Sequence, residues 1–334
     1  MRPILLSKQS PIQRGFTEGT SPINAAVIFE EVYREFEDQN NPFYIALLDA
    51  KSAFDVVVLK ILMRKAYLLG IDLSTWLIID ELHRNTRSVV KSNNQISQEL
   101  YSSQGVKQGG LLSADLYKLY LEDKPNTLSL SKIGCTIGSI NVNAVACADD
   151  VALISDTPYD LQILLNTAVL YSQKHHYTLQ PQKSVIIPVN EKLSKSNKPT
   201  HTFRINGEEM PNVDKSSHLG IIRSTSRLKT ENETIDQNIT KARRASYSLM
   251  SAGLHGDNGL DPVTSISIMK TYILPILTYS LEVLQPRNSN IHKLEQFQKS
   301  LIKRILSLPK NASDPVIYII SGILPIEAQM KSNV

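Results

Sequence analysis

The chain has 334 residues, 42% of them apolar, with a formal net charge of +4 and a pI near 8.8. That is enough apolar material for packed cores, in two or three lobes at roughly 100–200 residues per domain, and the mild basicity permits a nucleic-acid partner without demanding one. The two cysteines, Cys135 and Cys147, are too few for a disulfide framework or a four-ligand zinc site; no run of about 18 apolar residues is present to cross a membrane, and the opening MRPILLSKQS lacks the apolar core of a secretory signal, so a reducing intracellular setting, nuclear or cytoplasmic, is expected.

Taken in chain order, residues 1–20 read as loop, and residues 22–37 as a helix with Ala26, Phe29, Val32, Tyr33 and Phe36 on one face. FYIALL, after Asn-Pro, is a short continuous apolar run and predicts a buried strand ending at Asp49. Asp55 is placed as the N-cap of a helix that stops at Gly70. Trp76 to His83 predicts a further helix, and a hairpin follows with its turn near Asn93-Asn94. It leads through a glycine-bearing loop to the helical LLSADLYKLYLED.

AVACADDVALIS predicts two strands joined at Asp149-Asp150. The helix after it is well marked: Thr157 can cap it, Pro158 sits in its first turn, and Leu161, Leu164, Leu165 and Ala168 form a stripe. His175-His176 reads as a surface feature at its end. SVIIPV and HLGII are short strands, separated by the polar loop NEKLSKSNKPT. From about residue 230 the pattern is helical, with a weak seam at HGDNGLDP. The fold class expected is α+β: an antiparallel sheet with helices, followed by a helical C-terminal lobe.

The Asp149-Asp150 pair sits between apolar flanks, and carboxylates in a buried setting are costly without a compensating cation. No Arg or Lys lies near in sequence, and hard divalent cations prefer oxygen ligands. A hairpin turn also carries aspartates for backbone reasons alone, so the pair by itself leaves both readings open. Asp49 supplies a third carboxylate at the end of another apolar strand. Three such groups could hold two metal ions, the device for in-line attack at phosphorus.

Several blocks, in order, resemble the reverse transcriptases of LINE-type (non-LTR) retrotransposons. QRGFTEGTSPINA resembles the block before the first catalytic strand, ALLDAKSAFDVV motif A, SSQGVKQGGLLSADLY motif B and ACADDVALIS motif C. LQPQKSVII resembles motif D and HLGIIR the primer grip; ARRASYSLMSAGLHGDNGLDP and LPILTYSLEVLQP resemble the region downstream of the core. The resemblance implies a right-hand polymerase palm over 41–225 with helices packed on one face of its sheet. It also implies a remnant of the fingers over 1–40 and a helical thumb or connection region over 226–334.

It further implies an RNA-directed DNA polymerase that joins dNTPs to a DNA primer on an RNA template with two Mg²⁺ ions, or Mn²⁺ in their place. Asp49, Asp149 and Asp150 would be the metal ligands, the second of the pair less central than the first. Lys183 would be a proton donor to the leaving pyrophosphate. Ala50, Phe54, Gln108 and Gly109 would lie along the incoming nucleotide, Phe54 crowding the sugar 2′ position. Lys241, Arg243, Arg244, Lys299, Lys303 and Arg304 would track nucleic-acid phosphates. No membrane and no obligate protein partner are expected.

The sequence departs from the family pattern at Cys147, where motif C carries Phe or Tyr, and at Ala114, where motif B carries Pro. The family's fingers lie upstream of the QRGF block, so a fragment or degraded copy of a longer element is expected. An inactive remnant with residual nucleic-acid binding is the alternative. Phe54 argues against a viral RNA-directed RNA polymerase, and the lack of a maturase domain against an intron maturase.

Overall fold

A computed structural model describes residues 4, 12–17, 19–51, 54–84, 86–121, 133–191, 201–255 and 259–332. The chain divides into two compact units, Met1–Leu219 and Gly220–Val334.

In the first unit, helix α1 (Pro22–Asp38) opens at Ser21, whose N–H donates to the Asn24 side chain at 2.6 Å, with Pro22 in the first turn. Strand β1 (Phe43–Leu48) follows and is buried throughout. Helices α2 (Leu59–Leu68) and α3 (Leu73–His83) come next, then α4 (Ser113–Leu121). Strands β2 (Ala144–Cys147) and β3 (Asp150–Ser155) form the hairpin around the Asp pair; α5 (Pro158–Lys174) and β4 (Val185–Val189) complete the set. The four strands make one antiparallel sheet in the order β4-β1-β3-β2.

Helices cover both faces of this sheet, not one face as expected, which is why β1 reads as a continuous apolar run rather than an alternating one. Tyr44, Ala46, Leu48, Ala146, Val151 and Leu153 pack on one side with residues of α2, α4 and α5. Ile45, Leu47, Val145, Ala152 and Ile154 pack on the other with Phe29, Val32, Tyr33 and Phe36 of α1. Leu161, Leu164 and Leu165 of α5 are fully buried, each contributing about 1.5–3 kcal/mol of apolar burial. Thr157 caps α5 as expected, accepting from the Asp160 N–H at 3.1 Å. The Asn93-Asn94 turn also forms, with both residues at positive φ between the paired Lys91–Ser92 and Gln95–Ile96.

Three local readings need correction. Asp55 does not cap a helix: α2 begins at Leu59 with Val58 as its N-cap, and Asp55 lies in a turn. The run Val56-Val57-Val58 is β-branched and resists helix, and the backbone there bonds instead to the 105–106 loop. The helix around Trp76 starts earlier, at Leu73, because Asp72 accepts from the Thr75 N–H at 2.9 Å. His175 is not a surface feature: it is buried and stacks on Tyr171 with ring centroids 4.0 Å apart, while His176 is exposed. Most of NEKLSKSNKPT, the end of LLSADLYKLYLED and the centre of HGDNGLDP lie outside the described residues.

The second unit is mainly helical. Its long helix α6 (Arg227–Ser251) is capped by Ser226 and followed by α7 (Pro262–Ile268). A π-helical turn over Met269–Ile273 leads into α8 (Leu274–Thr278), where Pro275 cannot donate to the preceding turn. Then come α9 (Leu281–Leu284), α10 (Asn288–Ile305), α11 (Asp314–Ser321) and α12 (Ile326–Ser332). Ile235, Ala242, Met269, Ile273, Leu277, Leu294, Leu301 and Ile302 form its core. The buried Glu231 of α6 accepts from the Arg287 N–H at 2.8 Å and from Asn290 at 2.7 Å, tying α6 to the start of α10. No described helix is long and apolar enough to cross a membrane.

Candidate active site

The three aspartates meet at one end of the central sheet. Leu48 of β1 pairs with Val151 of β3, so the register places Asp49, the next residue, across from Asp150. Cys147 pairs with Asp150, leaving Ala148 and Asp149 as the hairpin turn. On its other side, Asp49 is fixed by β4 and the turn before it. The Asp49 N–H donates to Ser184 Oγ at 3.0 Å, and its carbonyl accepts from the Gln180 N–H at 3.0 Å. Ala50 continues the pairing as a bridge to Leu179. The β1–β4 ladder ends at Leu47 and Val185, and Lys183 lies in the turn before β4, its N–H donating to the Gln180 carbonyl at 3.2 Å.

The strands are buried, but the carboxylates are not. Asp149 and Asp150 are exposed and Asp49 half-buried, because all three stand where the apolar ladder ends. Enclosure of its carboxyl nevertheless pushes Asp150 above the usual carboxylate range, and the charges of Asp149 and then Asp49 push it further. Among the described residues, none of the three forms an ion pair with a Lys or Arg.

Converging negative charge without a protein cation is a donor set that suits a hard divalent ion. The side chains do not form a closed cage: among the described residues no group of three or more His, Cys, Asp or Glu is arranged to hold an ion as it stands. Cys147, beside the turn, stays a thiol at neutral pH, its ionisation pushed up by burial and then by Asp150 and Asp149.

Phe54 is held by stacking. Its ring lies 4.5 Å from that of Tyr117 at 20°, and Phe16 meets it edge-on at 6.4 Å. Tyr117 links Phe54 to the carboxylates: its hydroxyl is pushed far above the usual tyrosine range by burial and next by the charge of Asp149. The motif B loop is anchored to the same segment. The Val106 N–H donates to the Phe54 carbonyl at 2.9 Å, and the Gly105 N–H to the Val57 carbonyl at 2.8 Å. Beyond that anchor Gln108 and Gly109 form an exposed turn, Gly109 at φ +79°, a conformation glycine adopts without strain. A cavity of about 800 Å³ opens here, lined by Asp55, His83, Gln104, Lys107, Gln108 and Ser113 among others.

The basic residues of the second unit separate into different settings. Arg243 lies over the Phe297 ring at 5.9 Å and Arg304 over the Tyr247 ring at 5.4 Å, both lining one cleft of about 620 Å³ between α6 and α10. Lys299 and Lys303 do share a face of α10, but both pair with Asp314, at 2.9 and 3.4 Å. These lysines, first through the Lys299 hydrogen bond, hold Asp314 below the usual carboxylate range. Lys241 donates to Gln237 at 2.9 Å, and Arg244 is exposed.

Sequence reasoning missed Tyr117, Ser184 and Gln13. The first two look like ordinary helix and strand-edge residues, and their roles come from distant partners. Gln13 lies in a quoted block but carries no chemical signature of its own.

Residues 1–221 match the family model described as "Reverse transcriptase (RNA-dependent DNA polymerase)". Similar curated proteins are the Pol polyprotein of the type-2 retrotransposable element R2DM of Drosophila melanogaster, 23% identical over 316 residues, and that of a type-1 element R2 of Popillia japonica, 22% identical over 311. Each alignment covers 92% of this chain, but only 28% and 42% of the relatives' own lengths. Among solved structures, apo telomerase from Candida tropicalis is similar at a TM-score of 0.48 and 11% identity, covering 91% of this chain and 54% of that one. The match over the sheet, its three aspartates and the motif B loop rests on most of the chain, and on that ground the chain belongs to the reverse transcriptase family, related to the Pol polyproteins of R2 retrotransposable elements.

Proposed function

We propose that this chain carries the RNA-directed DNA polymerase site of a non-LTR retrotransposon, joining dNTPs to a primer 3′-hydroxyl on an RNA template. The observation that carries the reading is the convergence of Asp49, Asp149 and Asp150 at one sheet end, unpaired with any protein cation among the described residues.

The side chains divide the work. Asp49, Asp149 and Asp150 would hold two Mg²⁺ or Mn²⁺ ions, which when bound lower the pKa of an attacking hydroxyl and offset charge on phosphate oxygens. Phe54, braced by Tyr117, would crowd the 2′ position of the incoming sugar. Ala50 and the Gln108-Gly109 turn bound the nucleotide on its other sides, the glycine permitting close approach. Lys183, in the turn before β4, supplies a proton to the departing pyrophosphate. In the second unit Arg243 and Arg304 offer charge and aromatic faces to a nucleic-acid strand, with Lys241 and Arg244 as outlying cations. Lys299 and Lys303 give less to phosphates, because Asp314 already neutralises part of their charge.

Primer extension tests this. The full chain is given an RNA template, an annealed DNA primer, Mg²⁺ and dNTPs, with Asp149→Asn beside it. Extension lost in the variant supports the reading. No extension by folded wild-type chain refutes it, and favours a remnant that retains a polymerase site in form only.

A further inference from the structure

The turn that aims Asp149 and Asp150 is not self-sufficient. It has two residues, and Ala148 sits at φ +60°, in the left-handed region that side chains with a Cβ avoid. Two-residue hairpin turns place Asn, Asp or Gly at such a position. An alanine persists there only if its surroundings hold it.

The surroundings are the segment 12–15. It runs alongside β2, with the Arg14 N–H donating to the Ala146 carbonyl at 2.8 Å and the Ala146 N–H to the Ile12 carbonyl at 3.2 Å. Between these bonds the Gln13 side chain is buried, only 7% exposed. Its Oε1 accepts from the Ala148 N–H at 2.8 Å and from the Gly15 N–H at 2.8 Å, and its Nε2 donates to the Ala148 carbonyl at 3.3 Å. One amide therefore satisfies both backbone groups of the strained residue. Gly15 then lies flush against the turn: a Cβ there would stand 2.2 Å from the Ala148 nitrogen.

We propose that Gln13 is a positioning residue for the catalytic carboxylates: its side-chain amide locks Ala148 in the left-handed conformation and so fixes the direction of Asp149 and Asp150. The catalytic consequence rests on the polymerase reading above, whereas the lock itself does not.

The test uses the full chain with Gln13→Leu, Gln13→Glu, and Gln13→Leu combined with Ala148→Gly. Backbone amide exchange is followed in peptides covering residues 144–155, and single-nucleotide incorporation gives kcat and KM. In Gln13→Leu, the Ala148 amide exchanges about tenfold faster or more while the β3 ladder stays protected. Its kcat falls about tenfold or more, with KM for the nucleotide within about twofold. Adding Ala148→Gly recovers part of kcat, because glycine adopts positive φ freely; a packing defect at Gln13 would not be rescued this way.

Should Gln13→Leu fail to fold, Gln13→Glu serves. It keeps both accepted bonds and loses the donated one, so the Ala148 amide stays protected while kcat falls. Unchanged exchange at Ala148 in Gln13→Leu, unchanged kcat in Gln13→Glu, or a kcat loss untouched by Ala148→Gly overturns the proposal. If wild-type chain incorporates nothing, the polymerase reading fails, and the exchange comparison still decides whether Gln13 holds the turn.

Discussion

Asp150 offers a test of the carboxylate cluster that needs no turnover. Enclosure and the charges of Asp149 and Asp49 raise its pKa in the folded chain, so the fold favours the protonated form. That preference contributes stability below the unfolded value of about 3.9, and the contribution is lost as pH rises through the folded pKa. At neutral pH without divalent cations, Asp150→Asn should therefore stabilise. Each of the two like-charge contacts, at an exposed site, is worth about 0.2–1 kcal/mol, so relieving both gains about 1 kcal/mol. That corresponds to a rise of about 2–4 °C in Tm for a unit of this size.

Adding Mg²⁺ should reverse the order. A cation at about 100 times its dissociation constant stabilises by about 2.7 kcal/mol, or about 5–11 °C, and wild type gains this while Asp150→Asn gains much less. The assay is thermal unfolding of both chains at pH 7 and pH 4, with and without Mg²⁺. A lower Tm for Asp150→Asn in metal-free buffer at pH 7, or equal Mg²⁺ shifts for both chains, would refute the view that these carboxylates converge and await a cation.

Four more outcomes are expected. Phe54→Val should relax sugar selection, raising ribonucleotide incorporation relative to deoxynucleotide by about 10–200-fold, the range for removing one pocket contact; competition between dNTP and rNTP in primer extension reads it. Arg243→Ala with Arg304→Ala should weaken nucleic-acid binding at every sequence tested and reduce the slope of log affinity against log salt by about 2, measured by fluorescence anisotropy over a salt series. Thr157→Ala removes the cap of α5 and should cost about 1 kcal/mol, seen as a lower midpoint in denaturant. Asp314→Asn should cost no more than about 1 kcal/mol, because the Asp314 side chain is half exposed and its ion pairs are screened by solvent. Since its folded pKa is depressed, that contribution is present above the unfolded value and fades as pH falls through the folded one, so the difference from wild type shrinks in melts run toward pH 3.

What could be read from the sequence was what depends on near neighbours along the chain. FYIALL became a strand buried on both faces because nothing but apolar residues could occupy it. Thr157 and Pro158 announced α5, and Asn93-Asn94 announced a turn, since each acts on backbone within a few residues. Asp55 shows the limit of that approach. Its side chain suits a cap, but the three valines after it and the loop at Gly105–Val106 offered the backbone a better partner than a helix. Lys299 and Lys303 read as cations for phosphates, and only the fold showed Asp314 already occupying their face of the helix.

The candidate site divides along the same line. Asp49, Asp149 and Asp150 were legible because the end of an apolar run is a local feature, and antiparallel pairing of adjacent strands leaves few places for those ends to go. Their environment was not legible, because it is supplied by side chains from elsewhere in the sequence: Tyr117 under Phe54, Ser184 on the Asp49 amide, Gln13 on Ala148. The carboxylates repel one another and the hairpin that carries two of them turns through a strained residue, so the site cannot hold its form by its own local preferences. It is held by neighbours whose residue types, a tyrosine, a serine and a glutamine, are unremarkable until the fold brings them into contact.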